Sequence, residues 1–168
     1  MKALTVIQPW ATLIAIKAKT VETRSWRTDY RGDLAIHAAK GWKKENVRLA
    51  MMSEPFKTAL KDAGYPLFSL LPRGCIVATA TLVDCWITDG GIQWGNRNAF
   101  LETAFGDFSP GRYAWVLENI HPLPKSIPAK GALGLWGWPF EPCPRGGMQQ
   151  YDIGSCGLCN NTGFIDDR

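Results

Sequence analysis

The run from Gly74 to Trp86 (GCIVATATLVDCW) constrains the fold more than any other feature of the chain. Its mixture of apolar residues with threonine suits a central strand of a closed sheet. Shorter β-prone segments surround it. Lys2–Ile7 predicts a first strand, Thr20–Arg24 a second, and Gly32 turns the chain into a third over Asp33–Ala38. Arg112–Ile120 (RYAWVLENI) predicts another, after which Pro122, Pro124 and Pro128 oblige the chain to leave the sheet. Helices are few. Pro9 fits a first helical turn, followed by Trp10, Leu13, Ile14 and Lys17 at the spacing of one helix face. Trp42–Ala63 reads as one helix ended by Gly64-Tyr65-Pro66, and Asn98–Phe105 as a short one. Short strands, few helices and long irregular connections describe an α+β chain, a small mixed β-barrel decorated by helices.

With 168 residues, 46% of them hydrophobic and 20% charged, the chain can bury one sizeable core, which excludes disordered and fibrous classes. Residues 1–138 hold the apolar runs. Residues 139–168 replace them with Pro142, Pro144, Gly146, Gly147, Gln149, Gln150 and three cysteines, a tail outside the main core. The apolar stretch Ala3–Ile16 is broken by Gln8-Pro9 and falls short of a bilayer span, so no membrane association and a cytoplasmic protein are expected. Charge is uneven. Residues 1–61 hold 12 Lys or Arg against 5 Asp or Glu, net +7, and residues 62–168 hold 7 against 10, net −3. Such a basic half suits a polyanionic partner, although a solvated cationic surface gives the same count.

The segment from Gln8 to Trp26 carries the most chemistry. It reads Gln8-Pro9-Trp10-Ala11, then Lys19, Glu22, Arg24 and Trp26. On an extended strand Glu22 and Arg24 share a face, and Lys19, at the helix-to-strand turn, can point into the same space. By themselves these residues read as a salt bridge on a sheet face beside two core tryptophans.

Several separated pieces then occur in order: Gln8-Pro9-Trp10; Lys19, Glu22 and Arg24; Arg112-Tyr113-Ala114-Trp115-Val116-Leu117-Glu118-Asn119; and Gly131-Ala132-Leu133-Gly134-Leu135-Trp136. Together they resemble the ASCH domain family of the PUA-like barrels over about residues 1–138. The resemblance implies a PUA-like mixed β-barrel whose cleft, beside the first helix and the motif strand, takes RNA or a nucleotide-sized ligand. Trp10, Lys19, Glu22, Arg24 and Trp26 are the nucleic-acid-binding candidates: two cationic donors for phosphate or base edges, one acceptor and two stacking surfaces. Trp115, Trp136 and Trp138 read as core. One departure is Lys17, which stands where the family pattern has glycine and is strained if that position requires a positive φ.

Some members of this family resemble N4-acetylcytidine amidohydrolases and others ribonucleases, so a hydrolase using the same cleft is the alternative, with Lys19 and Glu22 as its catalytic candidates. The amidohydrolase pattern has threonine where Glu22 stands here, and a carboxylate beside Lys19 favours a charged ammonium over a base. A second alternative is a regulatory interaction domain in which the motif only builds the barrel. No Walker loop, nucleophile elbow or dinucleotide fingerprint occurs, His37 and His121 read as structural, and Asp89-Gly90-Gly91 reads as a turn. No cofactor is required. Cys143, Cys156 and Cys159 provide at most three ligands for a structural zinc, whose fourth would come from Asp152, a histidine or a partner chain, and reduced thiols are the simpler expectation. Cys75 and Cys85 read as small buried hydrophobes, and an odd total of five cysteines argues against a disulfide framework.

Overall fold

The computed structural model describes residues 1–90, 95, 97–142 and 164–166, with backbone alone at 90, 140–142 and 164–166. The elements in chain order are β1 (Lys2–Val6), α1 (Trp10–Ala15), β2 (Val21–Arg24), β3 (Gly32–Ala38), α2 (Lys44–Met52), α3 (Phe56–Asp62), β4 (Cys75–Ile87), α4 (Ala99–Phe105), β5 (Tyr113–Pro128) and β6 (Leu135–Gly137). The six strands form one mixed sheet in the order β2-β5-β4-β3-β1-β6, in which β1 and β3 run parallel and the other neighbours antiparallel. This is the expected α+β class, a mixed sheet decorated by helices. The long β-rich run becomes β4, flanked on both sides. The sheet is a curled half-barrel whose paired order ends at β2 and β6, so the closed sheet expected around β4 is open among the described residues. In the tail, Phe140–Pro142 (β7) pairs separately with Phe164–Asp166 (β8). No described helix is long and apolar enough to cross a membrane.

Both faces of the sheet are covered, and strand alternation decides which residue goes where. Leu4, Leu34 and Ile36 face a cluster with α1 and Trp115, while Ala3 and Ala35, one residue out of phase, pack with Ile76 and Trp138 on the other side. A third cluster joins Leu13 of α1 to Phe56, Leu60, Phe68 and Phe105 of the helical layer. Helix α1 therefore packs on two sides, and Ala11 through Ala15 are all buried, so the one-sided face expected for it is replaced by burial all round.

Three expectations are corrected. The single helix over Trp42–Ala63 is two helices, because Pro55, with its fixed φ and missing N–H, ends one and caps the next. Lys17 lies beyond α1 with φ 63°: its N–H donates to Ile14 O at 2.8 Å, and Ala18 N–H donates to Leu13 O at 3.0 Å. The position is therefore a left-handed helix stop, which glycine adopts without strain and lysine does not. The proline-containing stretch does not leave the sheet either; β5 runs on to Pro128. Strand β2 pairs only with Tyr113–Val116, so Pro122, Pro124 and Pro128 lie where β5 has β4 on one side alone, and a missing N–H breaks no ladder.

Candidate nucleotide-binding site

The turn after α1 delivers Lys19 directly into β2. Lys19 is fully buried, and its ammonium donates to Val21 O and lies 3.8 Å from Glu22 Oε2. It was expected to face a solvent-accessible cleft; instead α4 and the following loop seal it in. A Cβ at Gly106 would fall 3.3 Å from Lys19 Nζ and 2.6 Å from the Phe108 ring, so the glycine lets that loop close over the amine.

Glu102 of α4 completes the arrangement. Buried itself, it accepts from Thr20 N–H and Thr20 Oγ1, both at 2.6 Å, and from Val21 N–H at 3.1 Å. The carboxylate thus satisfies the Thr20 and Val21 N–H groups at the start of β2. Burial pulls the Lys19 amine below the ordinary lysine value, opposed first by the charge of Glu22 and then by that of Glu102. The expected effect of a neighbouring carboxylate is present, but desolvation outweighs it. Glu102 was missed because its contacts are more than eighty residues away in sequence. A faint signal exists, since in AFLETAF it shares a helical face with Phe105.

Glu22 and Arg24 do share a face. Arg24 Nη1 donates to Glu22 Oε1 at 3.4 Å, and the arginine side chain is 24% exposed where Glu22 is nearly covered. In the β2–β5 ladder Glu22 lies opposite Trp115 and Arg24 opposite Tyr113. Trp26 meets Trp115 edge to face, centroids 4.5 Å apart, and its carbonyl accepts from Trp115 Nε1 at 3.3 Å. Trp26 therefore stands beside the Glu22–Arg24 pair, partly in solvent. Trp10 is more committed: its indole N–H donates to Phe105 O at 2.5 Å and its ring packs on Phe56. It braces α1 against α4, the element that carries Glu102.

The other face of β2's edge is latched by the α4–β5 loop. Thr23 O accepts from Arg112 Nη2 at 3.3 Å, Thr23 Oγ1 accepts from Asp107 N–H at 3.3 Å, and Arg112 Nε pairs with Asp107 Oδ2 at 3.4 Å. Hydrogen bonds from Ser109, with a smaller part from Arg112, hold the Asp107 carboxyl below its usual range.

Among the described residues no three His, Cys, Asp or Glu side chains are grouped to hold a metal. Cys143, Cys156, Cys159 and Asp152 lie outside the described residues. His37 is buried, with Nε2 at 3.1 Å from Ala129 O. Trp115 and Trp138 are buried and Trp136 partly so, as expected of core residues.

Comparison with known proteins adds three findings. The family model of the ASCH domain matches residues 4–122. Activating signal cointegrator 1 from Homo sapiens is 29% identical over 134 residues, and its Mus musculus counterpart 28% over 137; each alignment covers 79% of this chain. The chain spans about a fifth of the length of these curated relatives, 21% of each. A crystal structure of a ZmASCH mutant protein from Zymomonas mobilis superposes with a TM-score of 0.40 at 13% identity, covering 76% of this chain and 74% of that one.

Proposed function

Because the chain belongs to the ASCH domain family, we propose that it binds RNA or a modified nucleotide at the end of β2, where Arg24, the one partly exposed residue of that strand, pairs with Glu22 and Trp26 follows. The observation that carries this reading is the partly solvated Arg24–Glu22 pair on an edge strand beside a half-buried indole. A forked donor next to an acceptor can read the polar edge of an unpaired base, and the indole offers a surface for its ring. Of the two motif cations, Arg24 alone reaches solvent. Lys19 and Glu102 act from below, fixing the start of β2 and hence the direction of Glu22 and Arg24.

The sealing of Lys19 supports a binder over a hydrolase, because an amine enclosed on Val21 O and Glu22 touches no substrate without rearrangement. The lowered lysine, flanked by two carboxylates, is the one feature that favours the hydrolase. Fluorescence anisotropy with short single-stranded RNAs and with N4-acetylcytidine, read alongside release of acetate or cleaved RNA, separates the two. Binding without product, weakened roughly tenfold or more by Arg24→Gln, is expected, as for loss of one bidentate contact. Turnover by the wild type, or unchanged affinity in Arg24→Gln, defeats the reading.

A further inference from the structure

The cations around the sheet are mostly occupied. Arg24 pairs with Glu22, Arg27 with Asp29, Arg31 with Asp84, Arg97 with Glu118 and Arg112 with Asp107. With Lys19 answered by Glu22 and Glu102, the motif region is close to charge balance, so the excess of the basic half must surface elsewhere.

It does so at the N-terminal end of α1. The loop between β3 and α2 exposes Lys40, Trp42 and Lys43, exposed Lys44 opens α2 directly after them, and Arg48 follows Lys44 by four residues on the exposed side of that helix. The loop before β4 joins them: Gly74 N–H donates to Ala38 O at 2.8 Å, and the Lys40 stem lies over Gly74, where a Cβ would meet it at 3.6 Å, which brings exposed Arg73 alongside. Among the described residues none of these five cations has a carboxylate within ion-pairing distance; Glu45 is the one acidic neighbour in the segment.

The placement opposes stability. Lys43 occupies the N-cap without a side-chain hydrogen bond, Lys44 begins the helix at the positive end of its dipole, and Lys44 and Arg48 repel at i, i+4 spacing. Trp42, in the middle of the patch, is 47% exposed yet held in place by an edge contact to Phe68, centroids 5.9 Å apart at 61°. An ordered, half-solvated indole among unpaired cations is the composition of a stacking platform on a polyphosphate track.

We propose that Trp42, with Lys40, Lys43, Lys44, Arg48 and Arg73, forms a second contact surface that takes the backbone and one base of a single-stranded nucleic acid. It rests on the preceding reading for the class of ligand alone. Asn46 Nδ2 donates to Gln8 O at 3.2 Å and Gln8 Nε2 to Pro72 O at 2.6 Å, which ties the first turn of α2 and the loop before β4 to the start of α1. The Lys19 turn leaves the other end of that helix, and six helical residues span only about 9 Å.

The test uses fluorescein-labelled oligouridine of about 16 nucleotides, its oligothymidine counterpart and polyglutamate, with the whole chain. Variants are Trp42→Ala, Trp42→Phe, a Lys40→Gln/Lys43→Gln/Lys44→Gln triple, and Arg24→Gln, all at exposed or partly exposed positions and checked by thermal melting. Trp42→Ala should weaken oligonucleotide binding roughly 5- to 100-fold, with most of it restored in Trp42→Phe. The triple variant should flatten the dependence of log affinity on log salt by about 2, from roughly 0.7 per lost phosphate contact. Tighter binding of the RNA than the DNA assigns the ligand to RNA, and equal binding assigns it to any single strand; both support the surface. Loss in Arg24→Gln alone, with Trp42→Ala and the triple unchanged, overturns this proposal and leaves the proposed function standing; the reverse pattern does the opposite. Polyglutamate bound as tightly as oligouridine, indifferent to Trp42→Ala, makes the patch a site for acidic proteins and overturns it, as does absence of all binding at low salt.

Discussion

Removing the Glu102 carboxylate should unpin β2, and the size of the effect follows from its three acceptor contacts. In Glu102→Ala the Thr20 and Val21 N–H groups and the Thr20 hydroxyl lose bonds of 2.6 to 3.1 Å in a buried setting, and Lys19 loses one of its two compensating charges. Hydrogen bonds to charged groups contribute about 1.5–3 kcal/mol each, and breaking a buried ion network by deleting one partner costs about 3–5 kcal/mol in total. The non-additive total sets the expectation at about 4 kcal/mol. Glu102→Gln keeps one acceptor oxygen for Thr20 but turns an amide NH2 toward the Val21 N–H and removes the charge, so about 2 kcal/mol is expected. The assay is equilibrium urea unfolding at neutral pH, repeated near pH 10. The amine's folded-state value is lowered, so the unfolded chain holds this proton to higher pH and stability rises as pH approaches the ordinary lysine value. Loss of Glu102 lowers that value further, so the Gln variant should regain part of its deficit at the higher pH. Wild-type stability in Glu102→Gln, equal losses in the two variants, or a deficit that does not narrow with pH would refute the reasoning.

Lys17→Gly should stabilise the protein by about 0.5–1 kcal/mol, because relief of the left-handed backbone exceeds the extra freedom glycine gives the unfolded chain; a melting temperature that stays or falls would show that Lys17 is not strained. Stability should also decline as pH drops below about 6.5, the unfolded histidine value, because burial holds His37 below it and the unfolded chain takes up the proton first. Protonation would put a proton on Nδ1, which has no hydrogen-bond partner among the described residues and lies where a Cβ at Gly131 would approach to 2.6 Å, so His37→Gln should remove part of that slope in pH-dependent denaturation.

Local regularities in the chain carried most of the architecture. The strands β1 to β4, helix α4 and the β5 start all follow from periodicity, β-branched content and turn residues, which depend on neighbours a few positions away. Glu22 and Arg24 on one face needed no more than the two-residue repeat of a strand. Three features did not follow, and each depends on which distant segment lies alongside. The prolines of β5 remain in the sheet because β2 stops after four residues, and no local pattern records the length of a partner strand. Lys19 resembled a solvent-facing ligand because it stands at the helix-to-strand turn, next to the strand face that carries Glu22 and Arg24. It is sealed because Gly106 and Glu102, brought over by a helix far downstream, occupy the space that solvent would have filled. The same long-range pairing separates the sheet's ion-paired arginines from the unpaired cations around Trp42, a distinction that net charge, being a sum, does not contain.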